Sequence, residues 1–372
     1  MALEASAPVA ASAGERAVAA DPGPPMDRRG ASAVLGPGWD FLFLGPGATL
    51  AVSAAFFGLA RLGQDGAAAA LATVLSLLVL GPHYAATYRR AYASAELVRG
   101  HPLVTLAAPV LLVAGAWAAV RAPSRVGPLY FLAYVVWSGY HYSGQSLGLA
   151  MLFPLRQGAR LDRREKRLLA LPLYLSWLLS LLGLFRAGAP ARNPAYDIVR
   201  QTFLTAPLPG WVLPAVLVAL AASFGGVAMV ARGRRRRGTP LPAASLGVIV
   251  AQVIWFGWGL ASPFFNIVLV PVFHSLQYLA LTSWHHMRPQ VIDGAARRRR
   301  FAAYVGAVLL LGLAINPGLP WLAIALAGAT PTSAATLAAV AAAISAVNLH
   351  HFLLDGRIWR MRERRVAQSF AG

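Results

Sequence analysis

The sequence predicts an all-α, polytopic transmembrane helical bundle of about ten spans with both termini in the cytoplasm, and three observations carry that reading. Hydrophobic residues fill 58% of the 372 positions and charged residues only 12%, and the apolar residues gather in runs of about 18 or more, enough to cross a bilayer as a helix. The net charge of +20 sits between these runs, where arginine and lysine set topology rather than bind nucleic acid. Cysteine is absent, so disulfides, iron–sulfur clusters and thiolate metal sites are excluded. A metal site here must use His, carboxylate, amide, Tyr or backbone groups.

Residues 1–38 are rich in Ala, Pro, Gly and Ser and lack the basic start and short apolar core of a cleavable signal, so they read as a disordered cytoplasmic tail. Residues 39–365 form a single transmembrane domain, and 366–372 a flexible C-terminal end. The first span is expected near 41–61, and the second, near 66–88, ends in His83, Tyr84, Arg89 and Arg90. The third follows His101 and Pro102 and stops near Arg121, and the fourth, near 127–153, carries Trp137, Tyr140, His141, Tyr142 and Gln145. Spans five (about 168–186) and six (about 209–231) hold no histidine, and the seventh covers about 241–260. Span eight, near 264–287, is the richest in polar and aromatic groups, with Asn266, His274, Gln277, Tyr278, Trp284, His285 and His286. A ninth near 301–315 precedes an apolar stretch, 318–328, too short to cross alone and expected to be a half-helix or re-entrant piece. The last span, near 333–355, ends in Asn348, His350, His351 and Asp355, with a cluster of arginines following.

Charge tests this order. The tail, the C-terminus and the loops after spans two, four, six and eight hold 27 Lys and Arg, and the opposite loops hold six: Arg61, Arg121, Arg125, Arg186, Arg192 and Arg200. That asymmetry places both termini in the cytoplasm of a bacterial-type inner or plasma membrane. The arginine runs also offer a secondary role in binding anionic lipid.

All eight histidines then fall toward the cytoplasmic half, seven of them on spans two, four, eight and ten, which can pack around a shared site. At about 1.5 Å per residue, His83, His285, His286, His350 and His351 lie within about 5–11 Å of the next arginine, but His141 and His274 lie about 21–22 Å away. His274 and His285 are separated by about 16 Å along one helix, so one ion cannot bind both. Either the site has two layers or Pro271 and the glycines near His141 bend the helices and merge the depths. The preferred ligand set is the shallow layer: His83, His285, His286, His350, His351 and Asp355, where His351 and Asp355 share a helix face at i,i+4. Such donors suit iron, copper or zinc, as a mono- or dinuclear site. The deep layer pairs His141 with Gln145 and His274 with Gln277 and Tyr278, as further ligands, as partners that fix imidazole tautomers, or as a pocket wall. Asp355 is expected to coordinate the metal or orient a liganded histidine. The plainer readings are interhelical hydrogen bonds for a lone histidine such as His101, interfacial placement for His285 and His286, and an aromatic belt for Tyr84, Tyr88, Trp284 and Trp359.

At these residues the chain resembles membrane-embedded multi-histidine non-haem iron enzymes: fatty-acid desaturases and hydroxylases, and the Brp/Blh-like carotenoid dioxygenases. The resemblance rests on architecture and on the His-His pairs in Trp284-His285-His286-Met287 and in the stretch from Leu349 to Asp355. The HxxxH and HxxHH boxes of desaturases do not occur. It implies an oxygen-dependent iron oxidoreductase that takes a lipid-soluble small molecule from the bilayer and draws on an electron donor. Two other functions fit the same residues. One is a haem or quinone redox protein with axial pairs such as His83 with His350, or His141 with His274. The other is a divalent-metal transporter in which His351 and Asp355 form half of a zinc site.

Overall fold

The computed structural model describes residues 33–93, 95–122, 125–186, 209–262, 264–287, 294–327 and 334–359. The tail through residue 32, the flexible end at 366–372 and several arginines of the charge count, among them Arg192, Arg200, Arg288 and Arg360, lie outside the described residues. Among the described residues there is helix and turn and no strand.

A short helical segment, Pro37–Leu44, bends by 46° into helix α1, Gly47–Arg61. Asp40 sets this entrance: its carboxylate accepts the backbone N–H groups of Val34 and Leu35 at 2.9 and 2.8 Å, so the ordered chain begins ahead of the expected boundary at residue 39. Then come α2 (Asp65–Tyr92), α3 (Leu103–Arg121), α4 (Gly127–Arg156), α5 (Arg163–Arg186), α6 (Val212–Arg236), α7 (Ala243–Ala261) and α8 (Phe265–Met287). The chain ends in α9 (Gly294–Leu313), α10 (Leu319–Ala327) and α11 (Ala334–Ile358), and Asn316 breaks the helix between α9 and α10. Among the described residues, eight stretches are long and apolar enough to cross a membrane, with α9 and α10 counted as one, and the bent pair at α1 makes nine. Helix α4, at 30 residues, has the length but carries polar and aromatic side chains through its middle.

Proline shapes three of the helices. Pro82, Pro109 and Pro271 each remove the N–H that would bond the carbonyl four residues back, and in each case that carbonyl lies in a widened π turn: Ser76–Leu80, Leu103–Ala107 and Phe265–Leu269. His83 and His274 follow directly after two of these turns. Just before His83, α2 crosses α9 with Gly81 against Gly312, so closely that a Cβ on either would overlap the other's backbone.

Helices α8 and α11 lie at the centre, with 67% and 56% of their most apolar windows buried, whereas α3 and α9 are 11% buried and face outward. Helix α11 packs against α2, α3, α4 and α10. Polar side chains join the helices where the apolar surface cannot specify register. Gln252 of α7 donates to Ser143 of α4 and to the Leu173 carbonyl of α5, at 3.0 and 2.9 Å. Trp255 donates to Thr49, and Asn266 to Ser180. At the ends of α5 and α6, buried Glu165 accepts from Arg234 and Arg237. The histidine-free pair α5 and α6 is therefore an outer layer, joined to the core through α4 and α7.

Candidate metal centre

One local pattern builds the site. Four helices each present a histidine followed one turn later by a polar residue: His83 and Thr87 on α2, His141 and Gln145 on α4, His274 and Tyr278 on α8, His351 and Asp355 on α11. Residues four apart share a helix face, so α2, α8 and α11 each offer two groups to the centre, while on α4 Gln145 donates to the His274 carbonyl. His83 meets His351 where Thr87 meets Asp355, so α2 and α11 run parallel there.

The four imidazoles form a closed ring. Centroids of His83 and His351 are 4.2 Å apart, His83 and His274 5.0 Å, His274 and His141 5.0 Å, and His141 and His351 5.1 Å, with the His274 to His351 diagonal at 6.5 Å. Nε2 of His83 lies 2.8 Å from Nε2 of His351, and Oδ2 of Asp355 lies 3.4 Å from His351 Nε2 and 3.8 Å from His141 Nε2. His83, His274 and His351 are at most 2% exposed. Tyr142 lies against His274 at 4.2 Å and Phe352 stacks on His141 at 4.5 Å, walling the ring with aromatic surface.

The carboxylate is held by a network of its own. Oδ1 of Asp355 accepts from the Tyr278 hydroxyl at 2.9 Å, with Thr87 Oγ1 at 3.1 Å, and Tyr278 accepts from Thr87 at 2.6 Å and from Trp359 Nε1 at 3.1 Å. Oδ2 is left turned toward the imidazoles. An ionised carboxylate is costly in so apolar a place unless it is both hydrogen-bonded and matched by positive charge. Tyr278, itself accepting from Thr87, supplies the first, and a cation held by the imidazoles would supply the second.

Unpaired nitrogens say what is missing. His83 Nδ1, His141 Nε2, both ring nitrogens of His274, and His351 Nδ1 are buried with no hydrogen-bond partner. Each such orphan costs about 1–3 kcal/mol, a penalty that a cation between the rings would lift for His141 Nε2 and one nitrogen of His274, though not for the far nitrogens of His83 and His351. Donor atoms of His83, His274 and His351 lie within 4.8 Å of one another, as do those of His141, His351 and Asp355, so these buried groups can hold a metal ion. Two nitrogens each about 2.0–2.1 Å from one ion stand about 3.0 Å apart at a right angle and roughly 3.4 Å apart at the tetrahedral angle, close to the spacings found. One feature departs from common metal sites: the far nitrogens of His83 and His351 meet no acceptor, so only Asp355 has a supporting hydrogen-bond shell.

The structure redraws the expected ligand set. His83, His351 and Asp355 of the shallow layer converge with His141 and His274 of the deep layer, and the two layers are one. Distance to the next arginine was a poor gauge of depth because the helices are offset along their axes: α4 runs on to Arg156, whereas Arg357 follows Asp355 by two residues. The other three histidines have different surroundings. His285 is bonded to Arg90 at 3.0 Å, His286 stacks on Tyr304 at 4.3 Å, and His350 sits 3.1 Å from the Val104 carbonyl and 3.3 Å from the Tyr88 hydroxyl. Gln145 and Gln277 do not fix imidazole tautomers: they donate to the backbone carbonyls of His274 and Leu44. Tyr278 is a supporting residue, for the carboxylate rather than an imidazole. Of the pairings expected for haem, His350 is bonded to the Val104 carbonyl rather than set against His83, and the ring centroids of His141 and His274 are 5.0 Å apart. Thr87 was the residue sequence reasoning missed, although its i,i+4 spacing from His83 matches the other three pairs.

Beside the ring, between α4 and α11, lies a cavity of about 450 Å³, within the range of about 300–1,000 Å³ typical of small-molecule pockets. His141, Asp355 and Tyr278 form its inner end, Trp137, Tyr140, Tyr174 and Phe352 give it aromatic walls, and Arg357 and Trp359 also line it. Gly144 and Gly148 keep the α4 wall low; a Cβ on Gly148 would meet nothing within 4 Å. No protein-family model, curated protein or solved structure matches the chain, so what the site does must be argued from its own residues.

Proposed function

We propose that the chain is an integral membrane metalloprotein of ten spans with both termini in the cytoplasm, and that His83, His141, His274, His351 and Asp355 bind one iron ion for an oxygen-dependent oxidation of a lipid-soluble small molecule. The observation that carries the reading is the ring of four buried imidazoles, several of their nitrogens without a hydrogen-bond partner, with Asp355 against two of them beside an apolar cavity. Imidazole and carboxylate donors would suit iron among the divalent metals, and the two donor triads, His83 with His274 and His351 and His141 with His351 and Asp355, share His351. Iron bound there would supply dioxygen activation. The protein's own part is to hold, orient and exclude water. Tyr278, held by Thr87, fixes Asp355 through Oδ1 so that Oδ2 faces His351 and His141, and Tyr142 and Phe352 keep solvent off the imidazoles. The aromatic cavity would receive the substrate from the bilayer and present it at His141 and Asp355.

A transporter is less well supported, because aromatic rings cover His274 and His141 where a polar path across the cluster would be needed. The test is metal analysis of the chain purified in detergent from iron-replete cells, with an optical spectrum. About one iron per chain without a haem band is expected, falling to background in His83→Ala and His274→Ala. Iron absent from the wild-type protein, or retained in both variants, would overturn the proposal.

A further inference from the structure

A second and larger cavity, of about 1,010 Å³, opens on another side of α8, between the start of α9 and the segment leading into α1. It exists because α9 packs along α2 rather than α8, so the two consecutive helices splay apart. Its walls are apolar: Phe43, Leu276, Leu279 and Phe301 line it. Its rim is cationic. Arg297 and Arg298 also line it, both exposed, and neither makes a hydrogen bond or ion pair among the described residues. Phe301 lies one turn below Arg297 on α9, so a single helix face passes from charge to hydrocarbon within one turn.

We infer that this cleft is a binding site for an anionic phospholipid, with the phosphate on Arg297 and Arg298 and an acyl chain between α8 and α9. A zwitterionic lipid would satisfy the walls but place its own cation beside the two arginines, whereas an anionic one matches both regions. The guanidinium pair offers forked donors for phosphate oxygens. The lipid would fill a gap that no described side chain fills and buttress α8, the helix that carries His274 and Tyr278. Filling the cleft requires no metal, so the site stands or falls separately from the proposed iron chemistry.

The experiment is native mass spectrometry of the full detergent-purified chain titrated with dioleoyl phosphatidylglycerol, dioleoyl phosphatidylcholine or soluble glycerol phosphate. Retention of phosphatidylglycerol well above phosphatidylcholine is expected, with no competition from glycerol phosphate. The R297Q/R298Q double variant should lose roughly 10- to 30-fold in affinity for the anionic lipid, the effect of removing two membrane-surface arginines. R297K/R298K should keep most of the binding, and Ala280→Trp, which fills the cleft and leaves the charges in place, should weaken it. R235Q/R236Q, at the exposed end of α6, is the control and should bind as wild type. Equal binding of the two phospholipids, an equal loss in the control, or full binding by Ala280→Trp would each overturn the site in favour of diffuse surface attraction. Displacement by glycerol phosphate would overturn it in favour of a free phosphate ester.

Discussion

His83 and His351 stand 268 positions apart in the chain, yet their Nε2 atoms approach to 2.8 Å in the middle of the helical bundle. Without an ion, one ring must donate its proton to the other and both far nitrogens remain unpaired. With an ion, the two lone pairs point at the same place. This contact joins α2 to α11.

His285→Ala, His286→Ala and His350→Ala should each retain the metal in full. Their partners are Arg90, Tyr304 and Val104, outside the ring of donors. A single lost hydrogen bond of this kind costs about 0.5–1.5 kcal/mol, so their melting temperatures should change little beside that of His274→Ala. Metal content per chain and thermal unfolding in detergent check this together.

Tyr278→Phe removes one hydroxyl and little volume. Asp355 Oδ1 then loses its donor at 2.9 Å, and Trp359 Nε1 and Thr87 lose their acceptor. Supporting residues of this kind are typically worth about 10- to 100-fold in metal affinity, so a loss of that size is expected in chelator competition, with the protein still folded. Unchanged affinity would show that Asp355 needs no orientation by Tyr278.

Much of this was legible in the sequence, and the failures share a physical cause. Apolar length marked the long helices, and the i,i+4 spacing of His351 and Asp355 put a carboxylate beside an imidazole. The His-His pairs misled, because neighbours on a helix point about 100° apart. Only His351 of the pair His350-His351 can face the centre, and His285-His286 lies three turns from His274 on the same helix. Axial offset between helices is a tertiary property that no single helix encodes, so the merging of the two layers had to come from the structure. Thr87 was readable, since the rule that linked His274 to Tyr278 applies to it unchanged.

Gly81→Val tests how the fold positions the first ligand. The new side chain would collide with the Gly312 backbone, and neither helix can yield without moving His83, two residues on. Overpacking of this kind costs about 1–3 kcal/mol or more. A lowered melting temperature with a parallel loss of bound metal is expected, and metal retained at wild-type levels would show that the crossing does not place His83.

Gly148→Leu should do the reverse. Its side chain enters open space on the cavity wall, so the helices need not move. Metal content and melting temperature should stay near wild type, while apolar compounds that extract with the protein, identified by mass spectrometry of the organic phase, should fall. Their persistence would place the lipophilic ligand elsewhere.

The most direct test of the central claim is X-ray absorption at the metal edge of the purified protein. A single-metal site should show a shell of nitrogen and oxygen at about 2.0–2.2 Å, the outer-shell scattering of four imidazoles, no sulfur and no second metal. A spectrum with one imidazole or none, or with porphyrin scattering, would contradict the assignment of His83, His141, His274, His351 and Asp355 as one metal centre.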